Sequence, residues 1–245
     1  MVYSKEFFAL QIEAAKAVAA LAGLPIGRAL LDYTNLYIRF GLGRDFNHSH
    51  PIWRRYVDGV TRSADVCDWT YRFYLAQGED LRPAATSACF SYAMQGEEHV
   101  RIHFRNAEPA TTSPLSSERL PARLGELRSI FGDVRRAGNN VKGVVGTSWL
   151  YNLPAYQRCF PASYIASARV AEPRYRHVSL WGQFLDRNGS LRHGVVRDFK
   201  GRLERLTGLG DLALAFPLQA LAVEAPIADF YRFYGISADG RRTSA

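Results

Sequence analysis

Residues 90–104 read FSYAMQGEEHVRIHF, and this stretch decides the fold class. Apolar and polar side chains alternate in its first half and again in its second half, which is the period of a β-strand with one buried face. Between the two halves, residues 95–98 include a glycine and are suited to a turn. The sequence therefore predicts a β-hairpin here, and with it a sheet.

After the hairpin, segments with the helical period alternate with short apolar strands. Ser117 is placed to cap a helix whose leucines recur every three or four residues as far as Gly138. The other predicted elements are a strand at 141–145, a helix at 152–160, strands at 164–170 and 177–185, a helix at 190–206 and a last apolar segment to 234.

Before the hairpin, the helical period dominates. The pattern predicts helices at 4–22 and 25–40, and two more that begin at Ser49 and Ser63. We therefore expect an α/β (or α+β) fold, in which a helical N-terminal third packs on a mixed sheet flanked by helices. The expected organisation is one domain over 1–236, with a helical subdomain at 1–80, an α/β part at 86–236 and a frayed tail at 237–245.

The composition excludes several classes of protein. A chain of 245 residues with 47% hydrophobic content can bury one large core. No apolar run approaches the ~18 residues of a membrane span, and no cleavable signal is recognisable at the N-terminus. The three scattered cysteines favour neither a disulfide framework nor a zinc ribbon. We expect a cytoplasmic protein with no membrane partner.

The chain is basic, with 31 Lys and Arg against 23 Asp and Glu and a formal charge of +8. Such a charge favours anionic ligands, including phosphates, a coenzyme tail or nucleic acid. Lysine occurs only at positions 5, 16, 142 and 200, so nearly all of the positive charge is arginine. Codon bias explains this skew equally well without any selection for binding.

A polar loop follows the second predicted helix and contains Arg44, Asp45, His48 and His50. Loops that a rigid scaffold holds often carry function, so Arg44, Asp45 and His50 are candidate ligand-binding residues. His48 and His50 have the spacing of two metal ligands, but no second group completes a site, and we predict no metal. The alternative is that these residues cap helix ends or lie at the surface.

His103 lies between Arg101 and Arg105 on the polar side of its predicted strand. If this face borders a cleft, the neighbouring cations favour the neutral imidazole, which can act as a general base. An exposed sheet face gives the same pattern. His103 is therefore a candidate catalytic residue with an ordinary structural alternative.

Residues 146–152, GTSWLYN, follow a predicted strand and precede a helix, where open α/β sheets hold their ligands. Ser148 and Asn152 offer polar groups, while Trp149 and Tyr151 offer flat rings with polar tips. We take Ser148, Trp149 and Asn152 as candidate ligand-binding residues and Tyr151 as a candidate catalytic residue. A helix cap flanked by core aromatics explains the same residues.

Trp181 and Gln183 alternate with apolar neighbours on the predicted strand 177–185. They would share one face of it and border the same pocket, so both are candidate ligand-binding residues. Cys159 has no histidine nearby in the sequence, and we do not predict it to be a nucleophile.

Residues 141–167, VKGVVGTSWLYNLPAYQRCFPASYIAS, resemble a bacterial protein family with a Ser-Trp-Leu-Tyr-Asn signature and no assigned activity. The strand 100–104, the Ser117 helix and the Ser148-Trp149-Leu150 step also resemble the C-terminal half of GNAT-like acyltransferases. That second similarity covers residues 100–185.

The GNAT-like resemblance implies a catalytic acid. In those enzymes the helix after this strand contains an Asn and then a Tyr, which protonates the departing thiolate of the coenzyme. Tyr156 would occupy that place, at a shorter spacing than usual, and Tyr151 is the other candidate acid. The resemblance implies a coenzyme A thioester, although residues 106–117 lack the glycines with which these enzymes cradle pyrophosphate.

The leading hypothesis is thus a GNAT-like acyltransferase that moves an acyl group from a thioester to an amine or hydroxyl. The alternative is a non-catalytic protein that binds nucleic acid or another anionic partner. It would use residues 169–205, which contain nine Lys or Arg and four Asp or Glu but no known nucleic-acid motif. A role in assembly, with no ligand, is the third hypothesis.

Overall fold

The computed structural model of the protein describes residues 3–77, 88–108, 112–138, 140–172 and 180–237. Within these ranges the α-helices are α1 (Lys5–Ala22), α2 (Ile26–Tyr33), α3 (Leu36–Arg39), α4 (Pro51–Arg62), α5 (Val66–Ala76), α6 (Leu120–Arg136), α7 (Pro154–Gln157), α8 (Ala162–Ala166), α9 (His193–Leu203), α10 (Leu212–Ala215) and α11 (Ile227–Phe233). The strands are β1 (Phe90–Gln95), β2 (His99–Phe104), β3 (Gly143–Ser148), β4 (Arg169–Val170) and β5 (Leu221–Pro226).

The five strands form one mixed sheet in the order β1-β2-β3-β5-β4. β1 and β2 are the predicted hairpin, and Gly96 takes the left-handed backbone conformation that its turn needs, with φ of 64°. β2 and β3 run parallel, whereas β3 with β5 and β5 with β4 are antiparallel. A mixed sheet with flanking helices confirms the predicted α/β class.

The chain divides into two compact units, and both are discontinuous in sequence. The helical unit consists of residues 1–84 and 172–220, and the sheet unit consists of residues 85–171 and 221–245. Residues 172–220 thus group with the N-terminal helices, whereas the sequence analysis placed them with the sheet. The expectation of one domain over 1–236 stays a prediction.

The core of the sheet unit lies on one face of the sheet. Val100 and Ile102 point to this face because they alternate with polar residues along β2, and Val144, the partner of Val100 on β3, lies beside them. The apolar stripe of α6 packs there, and its Phe131 is completely buried and stacks on Tyr234 with 5.3 Å between ring centroids. Each such buried side chain contributes about 1.5–3 kcal/mol to folding.

The helical unit has aromatic clusters in its core. In the first cluster, Phe40 packs edge-on against Tyr56 and Phe73, with ring centroids 4.8 and 5.0 Å apart. A second cluster is built by the later segment of the unit and contains Trp181, Phe184, Phe199 and Phe216.

Three predicted helix caps differ in the structure, and one of them is Ser117, which lies in a short 3₁₀ helix before α6 and does not cap it. His50, not Ser49, caps α4, because its Nδ1 accepts a hydrogen bond from the Ile52 N–H at 3.3 Å. Asp65, not Ser63, caps α5, and its carboxylate accepts from the Asp68 N–H at 2.9 Å. Helices α4 and α5 lie where they were predicted, whereas the single helix predicted over 25–40 is divided into α2 and α3 at Thr34, whose backbone is extended.

Two predicted strands are wrong in the described residues. Residues 164–170 contain the end of α8 and only a two-residue strand, because Pro161 begins a new helix and does not merely end the preceding one. Trp181–Phe184 is a 3₁₀ helix, and residues 177–179 of that predicted strand lie outside the described residues. The strand β5, within the last apolar segment, was not separately predicted.

None of the helices in the described ranges has by itself the length and hydropathy needed to cross a membrane. The pair α1 and α2 meets those two criteria together, with a bend of 119° between the helices. Of the predicted frayed tail, residues 238–245 lie outside the described residues.

Candidate functional site

The parallel pairing of β2 and β3 covers only the first three residues of each strand. Their parallel pairing ends at Arg101 and Val145. Each strand nevertheless continues for three more residues, β2 held by its pairing with β1 and β3 by its pairing with β5. We call the segments beyond this pairing, residues 102–104 and residues 146–148, the fork.

The fork presents strand edges to a ligand. The ladder between β2 and β3, as far as the structure describes it, does not include residues 102–104 or residues 146–148. An extended molecule with amide groups can bind by adding to a strand edge. His103 and Thr147, one on each side, are half-buried. The geometry is suited to a narrow, extended ligand.

The hydroxyl of Tyr151 lies against Gly146 of the fork, on the core side of the sheet. Gly146 is the first β3 residue beyond the pairing with β2, and a Cβ atom on it would overlap the hydroxyl oxygens of Tyr151 and Tyr164. These two hydroxyls are 3.0 Å apart and hydrogen-bonded. The absence of a side chain at Gly146 thus allows a phenol to reach the backbone at the fork.

Tyr151 is the most acidic of three neighbouring phenols. Burial raises its pKa, hydrogen bonds with Tyr164 and Tyr156 lower it, and the result is a pKa of about 12. Burial raises the pKa of Tyr156 and of Tyr164 well above the ordinary value, and their interaction with Tyr151 raises both further. Hydrogen bonds donated to a phenolate stabilise it. The interaction of Tyr151 with Tyr156 and Tyr164 therefore lowers the pKa of Tyr151 and raises the pKa of the other two.

Tyr156, the first-named candidate acid, lies in the aromatic core. It is 2% exposed, and its ring contacts Phe90, Phe104 and Phe160 at centroid distances of 6.0, 5.5 and 5.0 Å. The sequence analysis placed this hydroxyl against a departing thiolate, whereas the structure directs it to Tyr151. Tyr151 is as buried as Tyr156, at 1% exposure, but its hydroxyl lies against Gly146 of β3.

His103 lies at the fork on the other face of the sheet. It follows Ile102, which points to the core, and shares its polar face with Arg101. Both side chains are half-buried, whereas Ser91 and Ala93, their partners on β1, are exposed, so the alternative of a solvent-facing sheet face stays open. The Arg101 guanidinium donates through Nε to Gln95 at 2.6 Å, which holds it over the hairpin.

Ser148, Trp149 and Asn152 shape the turn after β3. The Ser148 hydroxyl accepts a hydrogen bond from the Leu150 N–H at 3.1 Å, and the Asn152 amide donates to the Trp149 carbonyl at 2.8 Å. The Trp149 ring is half-buried. These contacts match the capping role that the sequence analysis left as an alternative, and they position Tyr151.

The loop with Arg44, Asp45 and His50 belongs to the helical unit. The Tyr37 hydroxyl donates to Asp45 at 2.8 Å, and the Tyr37 ring meets the His50 ring edge-on. His50 is also the α4 cap, so the structure gives Asp45 and His50 local structural roles. The described residues contain no group of three His, Cys, Asp or Glu side chains arranged to hold a metal ion.

Trp181 and Gln183 were expected to line the same pocket as Ser148, from a strand. They lie instead on the 3₁₀ helix of the helical unit, and each is 1% exposed. Trp181 donates through Nε1 to the Tyr33 carbonyl at 3.2 Å, while Gln183 accepts from the Leu218 N–H at 2.9 Å. Both side chains hold the unit together.

Sequence reasoning missed Tyr164 and a buried ion cluster. Tyr164 was assigned to a strand, and only Pro161 before it signalled a helix.

In the buried ion cluster, Arg123, with 4% of its side chain exposed, pairs with Glu108 at 2.9 Å and Glu126 at 2.8 Å. Glu126 also accepts from two backbone N–H groups at the start of β1, so the cluster fastens α6 to the hairpin.

The basic stretch 169–205 is divided between the two units. Several of its cations have acidic partners: Arg169 lies 3.5 Å from Glu224 and Lys200 lies 2.5 Å from Glu13. Binding of nucleic acid through this stretch stays a prediction, which salt-dependent retention on immobilised nucleic acid tests.

No protein family, no curated protein and no solved structure gives a significant match to this chain.

Proposed function

We propose that the sheet unit binds an acyl thioester in the fork and transfers its acyl group to an amine or hydroxyl acceptor. The observation that carries this proposal is the early end of the pairing between two parallel strands, with a phenol against Gly146 directly beyond it. The GNAT-like resemblance of residues 100–185 includes both of these strands. The pantetheine arm of coenzyme A is a narrow chain with amide groups, which is the shape and chemistry that the strand edges suit.

Direct transfer needs no enzyme nucleophile. The acceptor nitrogen or oxygen attacks the thioester carbonyl carbon, a C–N or C–O bond forms, and the C–S bond breaks with release of a thiolate. His103 receives the acceptor's proton as a general base. The aligned reactants would react within one complex, where positioning supplies much of the rate enhancement.

Tyr151 serves the departing sulfur as a hydrogen-bond donor. Its pKa of about 12 keeps the phenol protonated throughout the physiological range. A thiol has a pKa of about 8.5, so complete proton transfer from Tyr151 to the thiolate is uphill. The phenol therefore stabilises the developing negative charge, and solvent completes the protonation after release.

The test compares Tyr151→Phe with Tyr234→Phe. Tyr234 is the matched control because its buried hydroxyl belongs to the same core but donates to the Cys159 carbonyl at 2.6 Å. We expect Tyr151→Phe to lower the rate of thiol release from acetyl-CoA by about 10²-fold, the effect of one donor to a developing charge. Tyr234→Phe should retain the wild-type rate.

Binding is measured by thermal shift with acetyl-CoA and with acetyl-pantetheine. Because residues 106–117 contain no glycine to cradle pyrophosphate, we expect the two affinities to agree within about tenfold. The proposal fails if neither thioester stabilises the protein, or if both substitutions change the rate equally while circular dichroism shows intact folding.

A further inference from the structure

An open groove runs between α4 and α5 in the helical unit, apart from the fork. Its volume is about 470 Å³. Small-molecule sites have volumes of ~300–1,000 Å³, so the groove has the size of a ligand site. The residues that line it are Arg55 from α4 and Trp69, Arg72, Phe73, Ala76 and Gln77 from α5.

Trp69 forms a rigid aromatic wall of this groove. Its indole nitrogen donates to the Tyr56 carbonyl at 3.0 Å, which fixes the orientation of the ring. A Cβ atom on Gly59 would overlap the ring, so the glycine lets the indole lie directly against the backbone of α4. The ring is half-buried, with part of its surface towards the groove. A planar ligand therefore meets a wall that is already in place.

Two guanidinium groups border the aromatic surface. The Arg55 guanidinium carbon lies 5.4 Å from the centroid of the Phe73 ring, a cation–π distance. Arg55 is exposed and makes no ion pair within the residues that the structure describes. Arg72 is already paired with Asp68 at 2.8 Å. Among the residues that the structure describes, the positive charge that a ligand could use at this groove is therefore mainly that of Arg55.

We propose that the α4–α5 groove binds a small planar molecule with one anionic group, a phosphate or a carboxylate. The planar part stacks on Trp69, and the anion pairs with Arg55, whose forked geometry suits both oxyanions. Asp65 and Asp68 stand nearby on or beside α5 and disfavour a long polyanion such as nucleic acid, which needs several cations. The proposal does not depend on acyl transfer at the fork.

The probes are adenosine monophosphate and indole-3-acetate, with adenosine and indole as their uncharged counterparts. Binding is followed by tryptophan fluorescence and by thermal shift of the full chain. We expect at least one anionic probe to bind saturably and its uncharged counterpart to bind at least about tenfold more weakly. The two arms distinguish a phosphate ligand from a carboxylate ligand.

The matched substitutions are Arg55→Gln and Arg54→Gln, which remove one exposed charge each from adjacent positions of α4. Arg55→Gln should weaken binding at least about tenfold, whereas Arg54→Gln should leave it nearly unchanged. Ala76→Phe, which fills the groove without changing its charge, should abolish binding. The proposal is overturned if neither anion binds saturably, if the uncharged probes bind equally well, or if the two arginine substitutions have the same effect.

Discussion

Gly146 is the residue on which the geometry of the fork depends most directly. Its position directly beyond the β2–β3 pairing brings two tyrosine hydroxyls against the backbone of β3. Any side chain there would displace the Tyr151 and Tyr164 hydroxyls and break the 3.0 Å hydrogen bond between them. A methyl group on Gly146 would thus meet the Tyr151 hydroxyl, which is the group that we propose as the hydrogen-bond donor to the departing thiolate.

We predict that Gly146→Ala destabilises the protein by about 1–3 kcal/mol, the cost of overpacking a filled core. Gly125→Ala is the control, because a Cβ atom at this exposed position of α6 meets no atom within 4 Å. That substitution should stabilise the protein by about 0.5–1 kcal/mol through helix propensity. Urea denaturation measures both, and loss of stability in both variants, or in neither, contradicts the prediction.

The helices α1 and α5 are joined by a charged triad at their surface. Lys5 on α1 lies 3.0 Å from the Asp68 carboxylate, and Arg72, one turn further along α5, lies 2.8 Å from it. The hydrogen bond from Lys5, and then the charge of Arg72, lower the pKa of Asp68 below 3.8. The folded state therefore favours the ionised carboxylate.

This lowered pKa predicts a pH dependence of stability. The stabilisation is present above the ordinary carboxyl pKa and is lost as the pH falls through the lower pKa of the folded state. The melting-temperature difference between wild type and Asp68→Asn should be constant between about pH 5 and pH 7 and shrink below about pH 4. Asp58→Asn, which alters a carboxylate without an ion pair in the described residues, should show no such change. A constant difference at every pH refutes the prediction.

The chain passes through its two units in alternation, so neither unit is one continuous stretch. Residues 172–220 complete the helical unit through Trp181, which donates to the Tyr33 carbonyl, and through Lys200, which pairs with Glu13. Their aromatic cluster is buried, with Trp181, Phe199 and Phe216 each at most 5% exposed. An N-terminal fragment by itself lacks that cluster.

We predict that a fragment of residues 1–84 does not unfold cooperatively. The same fragment, joined to residues 180–220 by a flexible Gly/Ser linker, should regain a cooperative thermal transition, since the missing core returns. Near-ultraviolet circular dichroism against temperature measures this for both fragments. A sharp transition in residues 1–84 alone would refute the discontinuous unit.

Long periodic segments were predicted well because their pattern is local. The hairpin and α6 each repeat one period over many residues, which leaves little ambiguity. Residues 164–170 are short and apolar, and a short apolar run does not distinguish a strand from a buried helix. Tertiary packing favours the helix at Tyr164, because the helix brings the Tyr164 ring to the Phe230 ring, with centroids 4.9 Å apart.

The candidate site residues also form two groups, those that local sequence patterns placed near the fork and those that only a wrongly predicted strand placed there. Tyr151 and His103 were named from residue type and from their positions near strand ends, and both lie at the fork. Trp181 and Gln183 were placed with them only because a strand was predicted, and that strand is a 3₁₀ helix in the other unit. Tyr164 carried no signal beyond a preceding proline.

The amino-acid sequence by itself determined the fold class, the positive charge and the residue types available for chemistry, since composition and period are properties of neighbouring residues. Only the tertiary structure decided where the β2–β3 pairing ends and which phenol lies there. Strand register and the burial of Tyr151 depend on contacts between segments far apart in the chain. Such contacts lower the free energy only once the whole core has formed, and no local pattern encodes them.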